Sequence, residues 1–192
     1  DVQANTATDF TVFNVEEGDR LGWALHTKGK EEVILISAEG QSIRFGEDEV
    51  RVMGLAAGGV GGMKLRGKDR LVHAAVIDAE GDLVTISAAG YAKRTSLAEY
   101  SSQGRNGGGI LAHKLVERTG KLTAGLALPP RMEHSQVILV SGKGVAKPLL
   151  VSDIPRMGRS ASGKQVLTLA ERDTVVSIWP IGGQGHESGP DG

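Results

Sequence analysis

Val33-Ile34-Leu35-Ile36-Ser37-Ala38-Glu39-Gly40 returns as Leu83-Val84-Thr85-Ile86-Ser87-Ala88-Ala89-Gly90, and again as Val137-Ile138-Leu139-Val140-Ser141-Gly142-Lys143-Gly144. The closing glycines step by 50 residues and then by 54. Each copy is a short, β-branched apolar run ended by a glycine turn, which is how a strand entering a hairpin reads. Self-similarity at a fixed period of this size marks a repeat architecture.

The rest of the unit keeps register. Met53-Gly54 corresponds to Gln103-Gly104 and Met157-Gly158, and Gly59 to Gly109 and Gly163. Asp69-Arg70-Leu71 corresponds to Asp173-Thr174-Val175, and to Asp19-Arg20-Leu21 one step upstream. The extra residues of the longer step fall in 128–135, a Pro-Pro turn where insertion costs little. The chain is therefore read as a half module at 10–32 and whole modules at 33–82, 83–136 and 137–181. Tails at 1–9 and 182–192 have no apolar periodicity and are expected to be disordered.

Within a module the reading is all-β. A second strand is expected at Ser42–Phe45, with equivalents Ala92–Thr95 and Ala146–Leu150. A polar loop such as Glu47-Asp48-Glu49-Val50 follows. A Gly-rich stretch then leads to two further strands, such as Met63–Leu65 and Arg70–Ile77. About four strands per 50 residues is the size of a propeller blade. No stretch has the 3.6-residue periodicity that a helical solenoid needs.

Composition agrees and excludes other classes. The 192 residues carry 22 Lys+Arg against 23 Asp+Glu, a net charge of −1, and no Cys. A disulfide scaffold and a thiolate metal site are thereby excluded. No apolar run approaches the roughly 20 residues that span a bilayer. No basic-then-apolar leader points to export. Asp1 is not an initiator Met, which is compatible with an excised piece. With 28 Gly, roughly 15% against a usual share of about 7%, the chain is rich in tight turns.

Catalytic signals are weak. Gly158-Arg159-Ser160-Ala161-Ser162-Gly163-Lys164-Gln165 has the glycine spacing of a phosphate-binding loop, but Gln165 cannot replace the hydroxyl that such a loop gives to magnesium. Its counterparts Gly54–Val60 and Gly104–Ile110 share the glycines, so the spacing belongs to the repeat. The five histidines, His26, His73, His113, His134 and His186, have no i+2 or i+4 partner of their kind. Tyr100 occupies the slot of Val50 and Ile154 and reads as packing. No Ser-His-Asp or paired-carboxylate set recurs, and no catalytic centre is expected.

Basic residues inform by placement. Lys93, Arg94 and Arg105 lie in the second whole module, and Lys143, Lys147, Arg156, Arg159 and Lys164 in the third. Lys64, Arg66, Lys68 and Arg70 alternate along one strand face or loop crest. Arg105 and Arg159 share a slot just after a loop glycine. One cation per module in a fixed slot makes a stripe that tracks a phosphate backbone without reading bases. Against this stands an ordinary mixed surface, and the pI of about 6.6 does not advertise a nucleic-acid binder.

Three segments carry a family resemblance: Gly40-Gln41-Ser42-Ile43-Arg44-Phe45 with Glu49-Val50-Arg51-Val52-Met53-Gly54; Gly90-Tyr91-Ala92-Lys93-Arg94-Thr95-Ser96-Leu97-Ala98-Glu99-Tyr100; and Val151-Ser152-Asp153-Ile154-Pro155-Arg156-Met157-Gly158-Arg159. They closely resemble successive repeats in the C-terminal domain of the A subunit of bacterial DNA gyrase, repeats that also occur in the A subunit of topoisomerase IV. The resemblance runs from about Phe10 to Ile181. It implies a β-pinwheel, a propeller-like disc of four-stranded blades that exchange strands. Three and a half modules cannot close such a disc, so an open arc is expected.

The resemblance further implies that duplex DNA bends around the rim, held by Lys93, Arg94, Arg105, Arg156, Arg159, Arg44 and Arg51. Lys143 and Lys147 join this set on charge alone. No cofactor is implied for this chain, the family's ATP, magnesium and active-site Tyr belonging to other regions. Implied partners are double-stranded DNA, the B subunit, and the rest of the topoisomerase A subunit, with no membrane. The implied location is the bacterial cytoplasm, at the nucleoid. The implied role is DNA wrapping in support of ATP-dependent negative supercoiling by DNA gyrase. The alternatives are a topoisomerase IV domain guiding substrate choice, or a protein-binding propeller scaffold.

Departures are visible. Gln103–Gly109 reads QGRNGGG, a degenerate form of the family's Q-R-R-G-G-K-G box. Leu55 stands in the slot of Arg105 and Arg159, and Pro148 in the slot of Arg44 and Arg94. Lys164 stands where an apolar residue is usual.

Overall fold

The computed structural model describes residue 11, residues 13–55 and residues 57–181. The tails expected at 1–9 and 182–192 lie outside the described residues. Among those described are eleven strands: β1 Glu32–Ser37, β2 Gln41–Gly46, β3 Leu71–Ile77, β4 Asp82–Ser87, β5 Tyr91–Ser96, β6 Ile110–Leu111, β7 Leu122–Leu128, β8 Gln136–Ser141, β9 Ala146–Leu150, β10 Lys164–Gln165 and β11 Val175–Ile181. Single 3-10 turns at Glu47–Glu49, Leu97–Glu99 and Val151–Asp153 follow β2, β5 and β9.

The strands form three antiparallel blades ordered β3-β1-β2-β6, β10-β5-β4-β7 and β11-β8-β9. Blades and sequence modules do not coincide. The first blade takes its outermost strand, β6, from the second module, and the second takes β10 from the third. Met63–Leu65 is not a strand, contrary to the expectation. Met63 makes only a parallel bridge to Gly107 of the next module, so it crosses one neighbour and has no ladder to join. The fourth strand of a blade is supplied by exchange instead. The third blade has three strands, and the sheets do not close on one another.

Stacking explains the apolar runs. Ile34, Ile36, Leu83, Leu97 and Leu122 fill the space between the first two blades. Val84, Ile86, Val137, Leu139 and Ile178 fill the space between the second and third. β4 is buried on both faces, with Leu83, Val84 and Ile86 apolar and Thr85 and Ser87 buried among them. Tyr100 is buried in the first of these clusters.

Two lines of exchange follow. The first seam runs where residues 100–111 line the outer edge of β2; the second runs where residues 154–165 line that of β5. At the first, Gln103 donates its N–H to the Arg44 carbonyl at 2.7 Å, and Ala112 to that of Gly40 at 2.8 Å. At the second, Met157 donates to Arg94 at 2.9 Å, Arg94 to Pro155 at 3.0 Å, and Val166 to Gly90 at 2.9 Å. Gly163 sits at φ 72° where a Cβ would meet the Ala92 carbonyl at 2.7 Å, so glycine is required there.

Candidate nucleic-acid interface

The cations named from sequence divide by the direction of their strand positions. Arg44 and Arg94 lie on β2 and β5, where their side chains turn into the seams and are 11% and 14% exposed. Arg44 donates from Nη1 to the carbonyls of Leu97 at 2.9 Å and Tyr100 at 3.0 Å, and pairs with Glu32. That guanidinium holds the Glu32 carboxyl below the ordinary carboxylate range. Arg94 donates from Nε to the Ile154 carbonyl at 3.0 Å and pairs with Asp82 at 3.2 Å. Both arginines clamp the following module.

Lys93 is 0% exposed. Its Nζ donates to the carbonyls of Gly158 at 2.6 Å and Arg159 at 2.7 Å. Burial pushes its ammonium down to about 8, with Glu99 opposing and Arg159 reinforcing. Beside it, Thr95 Oγ1 donates to the Met157 carbonyl at 2.7 Å. Thr85 Oγ1 lies 2.9 Å from His113 Nδ1. Burial pushes the His113 imidazole down to about 4, and the Lys93 charge acts in the same direction. The second seam thus has a polar interior that grips the loop carrying Arg156 and Arg159.

Arg105 and Arg159 are half-buried at the outer edge. Arg105 donates to the Glu49 carbonyl at 2.9 Å and the Gly61 carbonyl at 3.1 Å. Arg159 donates to the Leu111 carbonyl at 3.1 Å. Arg156 is 57% exposed and pairs with Asp82 at 3.0 Å. Lys143 and Lys147 are exposed, with Nζ on the carbonyls of Glu171 at 2.6 Å and Val166 at 2.9 Å. Arg51 is exposed, and its side chain has no hydrogen bond or ion pair among the described residues. The structure brings Lys93, Arg94, Arg156 and Arg159 together at the second seam, Arg44 and Arg105 at the first, and leaves Lys143 and Lys147 on the third blade.

Sequence reasoning noted Lys64 only as part of an alternating basic run, outside the DNA-binding set, and missed its counterpart Lys114. Lys64 donates its N–H to the Gly107 carbonyl at 2.8 Å, and Lys114, one step on, to that of Ala161 at 3.1 Å. Both side chains are exposed beside the exchanged loop. Their shared slot was the available signal, although nothing local distinguishes it from other exposed lysines.

Beside the exchanged loops, cations increase along the arc in four equivalent slots, while the adjoining slot holds its one cation, Arg51, at the leading end and Ser101 and Pro155 further on. Four equivalent slots hold Asn14, Val52, Leu55 and Val60 at the leading end, Lys64, Ser102, Arg105 and Ile110 at the first seam, and Lys114, Arg156, Arg159 and Lys164 at the second. The cations number none, two and four. Among the described residues, no group of three or more His, Cys, Asp and Glu is arranged to hold a metal ion. No helix among them is long and apolar enough to cross a membrane.

Comparison with known proteins places this arrangement. A family model described as the DNA gyrase C-terminal domain, beta-propeller, matches residues 31–78, 81–128 and 135–178, one match per module. The A subunit of DNA gyrase from Klebsiella oxytoca is 36% identical over 165 residues, 86% of this chain and 18% of that protein. Its counterpart from Mycolicibacterium smegmatis (strain ATCC 700084 / mc(2)155) is 33% identical over 180 residues, 93% of this chain and 21% of that protein. A solved DNA gyrase A C-terminal domain superposes with a TM-score of 0.72 at 28% identity, covering 79% of this chain and 50% of its own. The C-terminal domain of a DNA topoisomerase IV gives 0.82 at 25% identity, with coverages of 89% and 53%.

Proposed function

Because the chain belongs to the family of DNA gyrase C-terminal β-propeller domains, we propose that it binds duplex DNA without reading its sequence and bends it along the outer edge of the arc. In this reading it is a non-catalytic module of the A subunit of a bacterial DNA gyrase. It works with the B subunit, and with the remainder of its own polypeptide, at the nucleoid. It supports negative supercoiling for which the whole enzyme supplies ATP and magnesium.

The observation that carries the reading is the rise from no cation to four across four equivalent slots beside the exchanged loops. Phosphates set no pattern of bases to be matched, so a graded row of cations suits them. Smooth bending of 20–30 base pairs through 40–90° costs roughly 1–6 kcal/mol, which phosphate contacts must offset. Arg156, Arg159, Arg105 and Arg51, with Lys64, Lys114 and Lys164, are the proposed contacts, and Lys143 and Lys147 extend them onto the third blade. Lys93, Arg94 and Arg44 act from inside, by holding the loops that carry those side chains.

Neutralising Lys114, Arg156, Arg159 and Lys164 to Gln tests this. The slope of log K against log salt for duplex DNA should flatten by about 3–4, at about 0.9 per phosphate contact. Neutralising Lys64 and Arg105 should flatten it by about 2. An unchanged slope in both would leave the protein-binding scaffold as the better reading. A topoisomerase IV role is favoured by the higher TM-score alone, while identity is higher to the gyrase domain.

A further inference from the structure

The two loop arginines are held in the same way. Arg105 donates from Nη1 to the Gly61 carbonyl at 3.1 Å, and Arg159 from Nη1 to that of Leu111 at 3.1 Å. Gly61 and Leu111 occupy the same slot, 50 residues apart. The main-chain N–H groups are matched as well. That of Arg105 goes to Glu49 Oε2 at 3.0 Å, and that of Arg159 to Glu99 Oε2 at 3.3 Å. Each acceptor is the last residue of the 3-10 turn that follows β2 or β5.

An acid at this place needs a reason. Both glutamates are exposed beside the exchanged loops, where a carboxylate repels phosphate. They nevertheless recur in register, 50 residues apart. The loops they touch read Gly104-Arg105-Asn106-Gly107-Gly108-Gly109 and Gly158-Arg159-Ser160-Ala161-Ser162-Gly163. Backbone with so much glycine does not by itself fix the direction of a side chain. A hydrogen bond from an N–H to a carboxylate is of the strong, charge-assisted kind. In the second blade it comes from a turn anchored by the buried side chains of Leu97 and Tyr100.

The carboxylates engage the main chain and not the guanidinium. Arg156, by contrast, shares Asp82 with Arg94. The guanidinium groups of Arg105 and Arg159 have only neutral carbonyls as partners among the described residues, and Nη2 of each has none. The carboxylate therefore fixes the arginine main chain, and the carbonyl of the preceding module fixes one side of the guanidinium. The other side of the fork keeps its N–H donors, in a geometry suited to a phosphate.

We propose, resting on the DNA reading above, that Glu49 and Glu99 are positioning residues for duplex binding. Each spends its carboxylate on the N–H of the next loop's arginine and so aims that guanidinium at the phosphate backbone. Two acids thereby strengthen the grip on a polyanion.

Duplex binding by the complete A subunit assembled with the B subunit, titrated with salt, tests this. Glu49 is the cleaner site, because Ile43 stands in the slot of Lys93, whereas Glu99 also acts on the Lys93 charge. Glu49→Ala should flatten the slope of log K against log salt by about 1, as Arg105→Gln does, at about 0.9 per phosphate contact. The two changes together should flatten it no further. Glu49→Gln keeps an acceptor and sheds the charge, and it should bind as the wild type does or more tightly. Glu99→Ala and Glu99→Gln should repeat the pattern against Arg159→Gln. If Glu49→Ala does not fold, Glu49→Asp, which keeps the charge but draws the oxygen back, should show a smaller loss of the same kind. Tighter binding by Glu49→Ala, or equal weakening by the Ala and Gln variants, would overturn the inference and leave the DNA reading in place. Wild-type binding by both Arg105→Gln and Arg159→Gln would overturn the two together.

Discussion

The two seams share one backbone plan and differ in what fills it. Beneath the exchanged loop of the first lie Leu35, Ile43, Phe45 and Met63; the same slots of the second hold Thr85, Lys93, Thr95 and His113. A Cβ on Gly62 would meet the Leu35 side chain, one on Gly107 that of Ile43, and one on Gly109 that of Met63. In the second seam, side-chain hydrogen bonds to Met157, Gly158 and Arg159 take the place of that packing. Strand exchange thus tolerates a dry joint or a hydrogen-bonded one. A mixture fails, because a lone apolar residue in the polar set leaves carbonyls without donors.

The largest effect expected is at Lys93. Lys93→Met should cost about 4 kcal/mol, since two carbonyls lose their donor at about 1–3 kcal/mol each. Grafting the whole first-seam set, Thr85→Leu with Lys93→Ile, Thr95→Phe and His113→Met, should restore most of it. Urea titrations of both variants check this. If the graft is no better than the single change, the seams are not interchangeable units.

Protonation separates the seams next. The buried His113 has a folded pKa of about 4 against 6.5 for an imidazole in water. The unfolded chain therefore binds more protons between those values, and stability rises with pH through that window. Acidification from pH 6.5 to 4 should cost about 2–3 kcal/mol at this residue. His73 is pushed to about 4 by burial as well, so His113→Met should remove about half of the acid sensitivity contributed by these two groups. Lys93 behaves alike at higher pH: its folded value of about 8 lies below 10.5, and stability gains through that interval. Melting temperatures across pH report both windows. The dry first seam has no such group among its four.

Smaller still is the contrast between clamp and loop arginines. Arg44→Ala should cost about 2 kcal/mol, through the loss of charge-assisted bonds to Leu97, Tyr100 and Glu32. Arg51→Ala, an exposed change without a partner among the described residues, should stay within about 0.5 kcal/mol. Thermal melts of the two at one pH suffice. Equal losses would mean that the guanidinium of Arg44 contributes no more than a surface charge.

Much of the fold was legible because hairpins are local. The Val33–Gly40 pattern and its returns define β1, β4 and β8 with their turns, but the period does not show that β6 and β10 close the preceding blade. The supposed strand at Met63 failed because alternation over three residues carries no information about how many neighbours a segment has. The site was legible as a set of slots, but Lys93 and Arg156 are equally basic in sequence. One is sealed under a loop from the next module and the other is mostly exposed.

By itself, then, the sequence determined the repeat, its all-β character, its kinship and the distribution of charge among slots. Only the tertiary structure decided which cations face outward and which are buried. The physical reason is strand exchange. The partner of each outer strand lies about one repeat away, so a side chain's burial depends on a loop some fifty to sixty-five residues downstream. Lys93 is buried because Gly158 and Arg159 close over it. Lys147, its counterpart on the third blade, is exposed because no following loop covers it among the described residues.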